Sequence, residues 1–119
     1  MANLTILREF AKYRIMSEVF KALADPTRRK VLQLLQGGPM GAGDLADHFP
    51  VTKPTMSAHF AVLVHANLIE AEKQGRAITY RLKMSVLEEA LLGFAEAFGF
   101  EMTTRPAGLA HAQTRGRRR

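Results

Sequence analysis

The chain predicts a mainly α-helical domain that carries one small two-stranded antiparallel β-hairpin. Three observations lead there. Between Asn3 and Ala66 the apolar residues recur at helical spacing, and the pattern is punctuated at Asp25-Pro26, Gly37-Gly38-Pro39 and Phe49-Pro50-Val51. Beyond Asn67 the period drops to two around a central Gln74-Gly75. From Ser85 the helical period returns, with Leu87, Leu91, Phe94 and Phe98 at i, i+4, i+7 and i+11.

The segment from Asn3, placed as an N-cap, to Ala24 contains neither glycine nor proline, and Leu7, Phe10, Ala11, Ile15, Val19, Phe20 and Leu23 give it an apolar face. It is one long helix or two short ones. Asp25 then caps a second helix that has Pro26 at its first position, where a missing N–H costs nothing. That helix carries Val31, Leu32, Leu34 and Leu35 and stops at Gly37-Gly38-Pro39. A short helix from Gly41 to His48 turns Leu45 and Ala46 inward, and Phe49-Pro50-Val51 breaks it.

Thr52 caps the next helix, TKPTMSAHFAVLVHA, whose two faces differ. Met56, Phe60 and Leu63 form one buried stripe. Lys53, Thr55, Ser57 and Ala58 project from the other side near the helix start. A cation and small hydroxyls there reach phosphates and base edges without crowding a DNA groove. Helix, turn and helix in this order place the second helix as a reader of the major groove. The hairpin follows as Leu68 to Lys73 and Arg76 to Leu82, with Ile78, Tyr80 and Leu82 alternating with polar neighbours and a basic tip. The final stripe of Leu87, Leu91, Phe94 and Phe98 lies outside the helix-turn-helix core and needs a partner.

At 119 residues this is one folded domain, read as 1–100, followed by a basic, disordered tail over 101–119. The tail holds five arginines and one glutamate, a charge of +4, so of the total of +6 only +2 belongs to residues 1–100. With no cysteine there is no disulfide and no thiolate metal site. The N-terminal segment lacks a continuous apolar core, being broken by Arg8, Glu9, Lys12 and Arg14, and no run approaches the roughly 18 apolar residues of a membrane span. A cytoplasmic protein with no membrane insertion is expected.

Each candidate side chain also has a plainer role. His59 lies about 60° from the centre of its helix's apolar stripe, so it either packs or meets DNA. Ser57 and His59, two residues apart, point in different directions and make no nucleophile and base pair. His48, His65 and His111 have no second histidine at ligand spacing and read as surface residues. Arg28, Arg29 and Lys30 crowd the positive end of their helix and need an offsetting interaction. For Arg28 a partner among Asp25, Glu18 and the last helix is favoured; Arg29 or Lys30 remains free to meet a DNA backbone. Phe94, Phe98 and Phe100 read as dimer or domain core rather than a ligand pocket. The TRGRRR end either raises nonspecific DNA affinity or is a solvated terminus.

The order helix, helix, helix-turn-helix, two-stranded wing, helix matches a winged helix-turn-helix. The blocks FKALADPTRRKVLQLL, GDLADHF, TKPTMSAHFAVL and ANLIEAEKQGRAITYRL resemble the ArsR/SmtB family of dimeric bacterial repressors, and the SdpR-like members without metal thiolates most of all. The resemblance spans residues 17–95. It implies that Lys53, Thr55, Ser57, Ala58 and His59 line the major-groove face, and that Lys73, Gln74 and Arg76 form the wing near the minor groove or phosphates. It also implies a homodimer through the first and last helices, with Phe10, Val19, Leu87, Leu91, Phe94 and Phe98 at the interface. Many relatives carry a long basic or amide side chain where Ala58 stands and leucine where Phe60 stands, so direct base contacts are sparse and DNA shape carries more of the selectivity. The metal-sensing cysteines of some members align with Gly41 and Gly43, and Ser85 to Phe98 has no Asp or His, so no sensory metal and no cofactor are expected.

The function that follows is repression of transcription by a homodimer covering an inverted repeat on double-stranded DNA, with autoregulation implied by the resemblance and release through a regulatory protein partner among the open options. Two alternatives use the same scaffold: a protein-interaction module, and a sensor of metal or a small molecule through oxygen and nitrogen ligands. No Gly-rich phosphate loop or nucleophile constellation supports an enzyme.

Overall fold

The computed structural model describes residues 2–101, and the expected basic tail lies outside them apart from Glu101. Five helices and three strands follow in the order α1 (Ala2–Leu23), α2 (Pro26–Leu35), β1 (Met40–Gly41), α3 (Ala42–Ala46), α4 (Lys53–His65), β2 (Ile69–Gln74), β3 (Ala77–Leu82) and α5 (Met84–Ala97). The segment left open as one helix or two is a single helix of 22 residues.

Helix boundaries follow from side-chain chemistry. Asp25 accepts hydrogen bonds from the amides of Thr27 (2.7 Å) and Arg28 (3.2 Å), so two of the four free donors at the start of α2 are satisfied. Thr52 accepts from the Thr55 amide at 3.3 Å and caps α4 in the same way. At the far end of α4, Asn67 adopts φ 66°, the Leu68 amide reaches back to the Leu63 carbonyl (3.0 Å) and the Asn67 amide to that of Val64 (2.9 Å). This is a Schellman closure, and the two leucines it brings together are both fully buried.

The core is built where these helices meet the sheet. Val19 and Ala22 from α1, Val31, Leu32 and Leu35 from α2, Leu45 from α3, and Met56, Phe60 and Leu63 from α4 close over Leu68, Ile69, Tyr80 and Ala90. The amphipathic stripe expected of α4 is therefore the part that is buried. Val19 was placed at the dimer interface by resemblance, and the fold corrects this: it is 0% exposed inside the protomer and has no surface left for a partner.

The wing is larger than the sequence indicates. β2 and β3 pair antiparallel from Ile69↔Leu82 to Gln74↔Ala77, joined by Gly75 and Arg76, with Gly75 at φ 61° as a two-residue hairpin loop requires. A third strand, β1, pairs through Met40↔Tyr80 and Gly41↔Thr79, so the sheet order is β1-β3-β2. The two-stranded expectation fails because two residues are too few to show an alternating pattern. β1 nevertheless ties the entry of the helix-turn-helix to the wing.

α5 packs on α1 through small residues. Ala90 and Ala95 are buried, and a Cβ at Gly93 would come within 3.0 Å of the Met16 sulfur, so the two helices approach closely there. Phe94 meets Phe20 edge-on, with ring centroids 4.8 Å apart, and Phe98 lies 4.9 Å from Phe94.

Candidate nucleic-acid interface

α3 and α4 supply the helix-turn-helix, and the buried stripe of α4 decides which way its other face points. With Met56, Phe60 and Leu63 inside, Lys53, Thr55, Ser57 and Ala58 are all exposed at the N-terminal half of the helix. Lys53 occupies the first helical position, at the positive end of the dipole, so the helix end and the ammonium group both favour an anion such as a phosphate there. The Thr52 hydroxyl donates to the Thr55 hydroxyl at 2.9 Å, which steadies the Thr55 side chain and leaves its own proton available outward. Lys73, Gln74 and Arg76 are exposed at the wing tip. Lower on the wing, Arg81 pairs across the strands with Glu72 at 3.3 Å, so the free cations of this hairpin sit at its tip.

Phe60 is the joint between reading helix and wing. Its ring lies 4.7 Å from that of Tyr80, tilted by 39°, and both are buried. Burial also raises the Tyr80 phenol above its usual pKa, because a phenolate there would lose hydration.

His59, for which packing and DNA contact were both open, is half-buried, and its Nδ1 lies 3.3 Å from Nη1 of Arg28. The partner expected for Arg28 was Asp25, Glu18 or a residue of the last helix. Instead its Nε donates to the carbonyl of Ala22 (2.7 Å) and its Nη2 to that of Lys21 (3.1 Å). Arg29 similarly donates to the carbonyl of Leu23 at 2.7 Å. The cations crowding the positive end of α2 are thus offset by the negative end of α1, whose last carbonyls they cap. Burial pushes the Asp25 carboxyl upward, but the amides of Arg28 and Thr27 and the positive charge of Arg28, joined by His59 when charged, outweigh it and hold the group below its ordinary pKa. The Arg28–His59 link was not foreseen; the only signal for it was the arginine's unfavourable position at a helix start.

The residues placed at the dimer interface divide. Phe10 and Phe98 are each 66% exposed, and Leu91 and Phe94 are exposed as well. Leu87 is half-buried against the core. Along α1 the exposed apolar set also includes Leu4, Ile6, Leu7, Tyr13 and Ile15. Among the described residues, no group of three or more His, Asp or Glu gathers at metal-holding distance, and no helix is long and apolar enough to cross a membrane.

The chain is similar to named transcriptional repressors and regulators. A family profile described as a helix-turn-helix domain matches residues 23–72. The transcriptional repressor SdpR of Bacillus subtilis is 47% identical over 76 residues, covering 64% of this chain and 84% of that protein. The arsenical resistance operon repressor of Staphylococcus xylosus is 37% identical over 76 residues, covering 64% and 73% respectively. Among solved structures, the ArsR family transcriptional regulator RHA00566 superposes with a TM-score of 0.68 at 32% identity, over 72% of this chain and 89% of that one. With its capped α2, helix-turn-helix and wing in the same order, the chain belongs to the ArsR/SmtB family of winged helix-turn-helix repressors, with an SdpR-like sequence.

Proposed function

We propose that this protein represses transcription by binding a specific DNA sequence as a homodimer, two α4 helices entering successive major grooves of an inverted repeat roughly 10 base pairs apart. The observation that carries the proposal is the division of α4: an apolar stripe locked in the core, and a lightly decorated polar face exposed beside a basic wing tip. Lys53, Thr55 and Ser57 discriminate between bases, each good contact contributing about 1–3 kcal/mol. Lys73, Arg76 and the helix ends bind phosphate and supply most of the affinity. Repression is steric, by occupation of a promoter, and the protein's own promoter is one such site.

Dimerisation is supported by the apolar side chains left in solvent on α1 and α5, Phe10, Leu91, Phe94 and Phe98 among them. The Lys53→Ala, Ser57→Ala double variant tests the reading face. Its preference for promoter DNA over random duplex is expected to fall by an order of magnitude or more while its fold is retained. Full retention of both affinity and preference would show that another surface reads the DNA.

A further inference from the structure

We propose that Arg28 is a positioning residue for DNA reading: it holds the His59 ring in the tautomer with its proton on Nε2, so that α4 presents a fixed hydrogen-bond donor one helical turn beyond Thr55. The inference rests on the repressor function proposed above and deepens it. An arginine guanidinium only donates, so with Nη1 3.3 Å from His59 Nδ1 the ring nitrogen there must accept. A neutral imidazole that accepts at Nδ1 carries its proton on Nε2.

Arg28 is able to impose this because it is itself fixed. Two of its nitrogens are held by the carbonyls of Ala22 and Lys21 at the end of α1, and its own amide is held by Asp25. One side chain therefore joins the end of α1, the start of α2 and the exposed flank of α4. The buried stripe fixes α4 from inside, and Arg28 fixes the ring orientation of His59 from outside. His59 Nε2 has no partner among the described residues and is not sealed from water.

Charged groups of α1, α2 and α4 lie near Arg28 and its histidine partner. Arg28 and Asp25 approach from the start of α2, and Asp25 accepts its two amides at Oδ1. Glu18 and Lys21 of α1 share a groove with Arg28 and with His65 of α4, and Glu18 lies 3.8 Å from the His65 ring. Protonation of His59 would turn Nδ1 into a donor facing a guanidinium, and the ring would be released.

Nitrogen NMR of the histidine rings in the full, DNA-free chain reads the tautomer directly. Free histidine already favours the proton on Nε2, so at pH 8 the expected result for His59 is that tautomer populated more completely than in free histidine, with the excess lost in Arg28→Met that retains its helical circular dichroism. A protonated Nδ1, or a population unchanged in the folded Arg28→Met variant, would overturn the proposal; so would a wild-type population no greater than that of free histidine, which is read even if that variant does not fold. Binding is then measured with a duplex from upstream of the protein's own coding region and a random duplex of equal length. His59→Phe and Arg28→Met are each expected to lose about tenfold in preference, and the double variant no more than either alone. Losses that multiply would overturn the coupling. Equal preference in wild type and His59→Phe would overturn only the role of these two residues, whereas a wild type without any preference would overturn the repressor function as well.

Discussion

Replacing Phe60 with leucine is expected to destabilise the protein by about 1–2 kcal/mol, the middle of the range spanned by a lost aromatic pair at about 0.5–1.5 kcal/mol and a change of core shape that adds less than about 1.5 kcal/mol. The ring is 3% exposed and sits 4.7 Å from Tyr80, so the pair is close and largely dry. Truncation to alanine removes the whole ring from the joint between α4 and β3 and costs about 3–5 kcal/mol, a large part of the roughly 5–15 kcal/mol that holds a domain of this size together. Urea unfolding at one fixed protomer concentration is the assay, because any self-association makes the midpoint depend on concentration. With a slope of roughly 1.5 kcal/mol per molar, Phe60→Leu moves the midpoint down by about 1 M at unchanged slope. A Tyr80→Leu and Phe60→Leu cycle isolates the ring pair, with a coupling of about 0.5–1.5 kcal/mol. Wild-type stability in Phe60→Leu together with zero coupling would refute the idea that this contact joins helix and wing.

Other expectations concern single groups. Asp25→Ala should lower stability by about 1 kcal/mol through loss of the α2 cap. Because the Asp25 pKa is lowered on folding, that difference is present above about pH 4, the unfolded carboxylate value, and fades as acid titrates the folded group; chemical unfolding at several pH values reads it. Tyr80 has the opposite sign: its phenol keeps its proton longer in the folded state, so its contribution is complete below about pH 10 and is lost as pH rises further. Ultraviolet titration of a Tyr13→Phe protein, which leaves Tyr80 as the one phenol, should show ionisation above the value found in urea. Lys73→Gln and Arg76→Gln should weaken binding to promoter and random duplexes alike, each reducing the log–log salt slope by about 0.9 if its charge neutralises one phosphate.

The parts of the fold that were legible in the sequence are those written in local chemistry. Asp25-Pro26 marked the start of α2 and Gly37-Gly38-Pro39 its end, and Thr52 marked the cap of α4. The division of α4 was equally plain, since Met56, Phe60 and Leu63 repeat at helical spacing and all three are buried. What escaped was set by residues distant in the chain. β1 is only two residues long, and its partner, Tyr80 with Thr79, lies in the far strand of the hairpin. Val19 belongs to an apolar face, but periodicity does not say whether such a face meets the protomer's own core or a second copy. The awkward cluster at the start of α2 was recognisable as an electrostatic problem, yet its solution lies in the carbonyls that end α1 and in a histidine on α4. For the candidate reading residues the sequence supplied identity and spacing, and the fold added exposure and the neighbours that hold them.

Selective repression requires the polar face of α4 to choose a DNA sequence. Footprinting of the purified protein on the DNA upstream of its own coding region, at near-physiological salt, tests this directly. Two protected major-groove segments roughly 10 base pairs apart, lost in the Lys53→Ala, Ser57→Ala protein, are predicted. Uniform protection, with no segment favoured over bulk DNA and no difference between the two proteins, would contradict it.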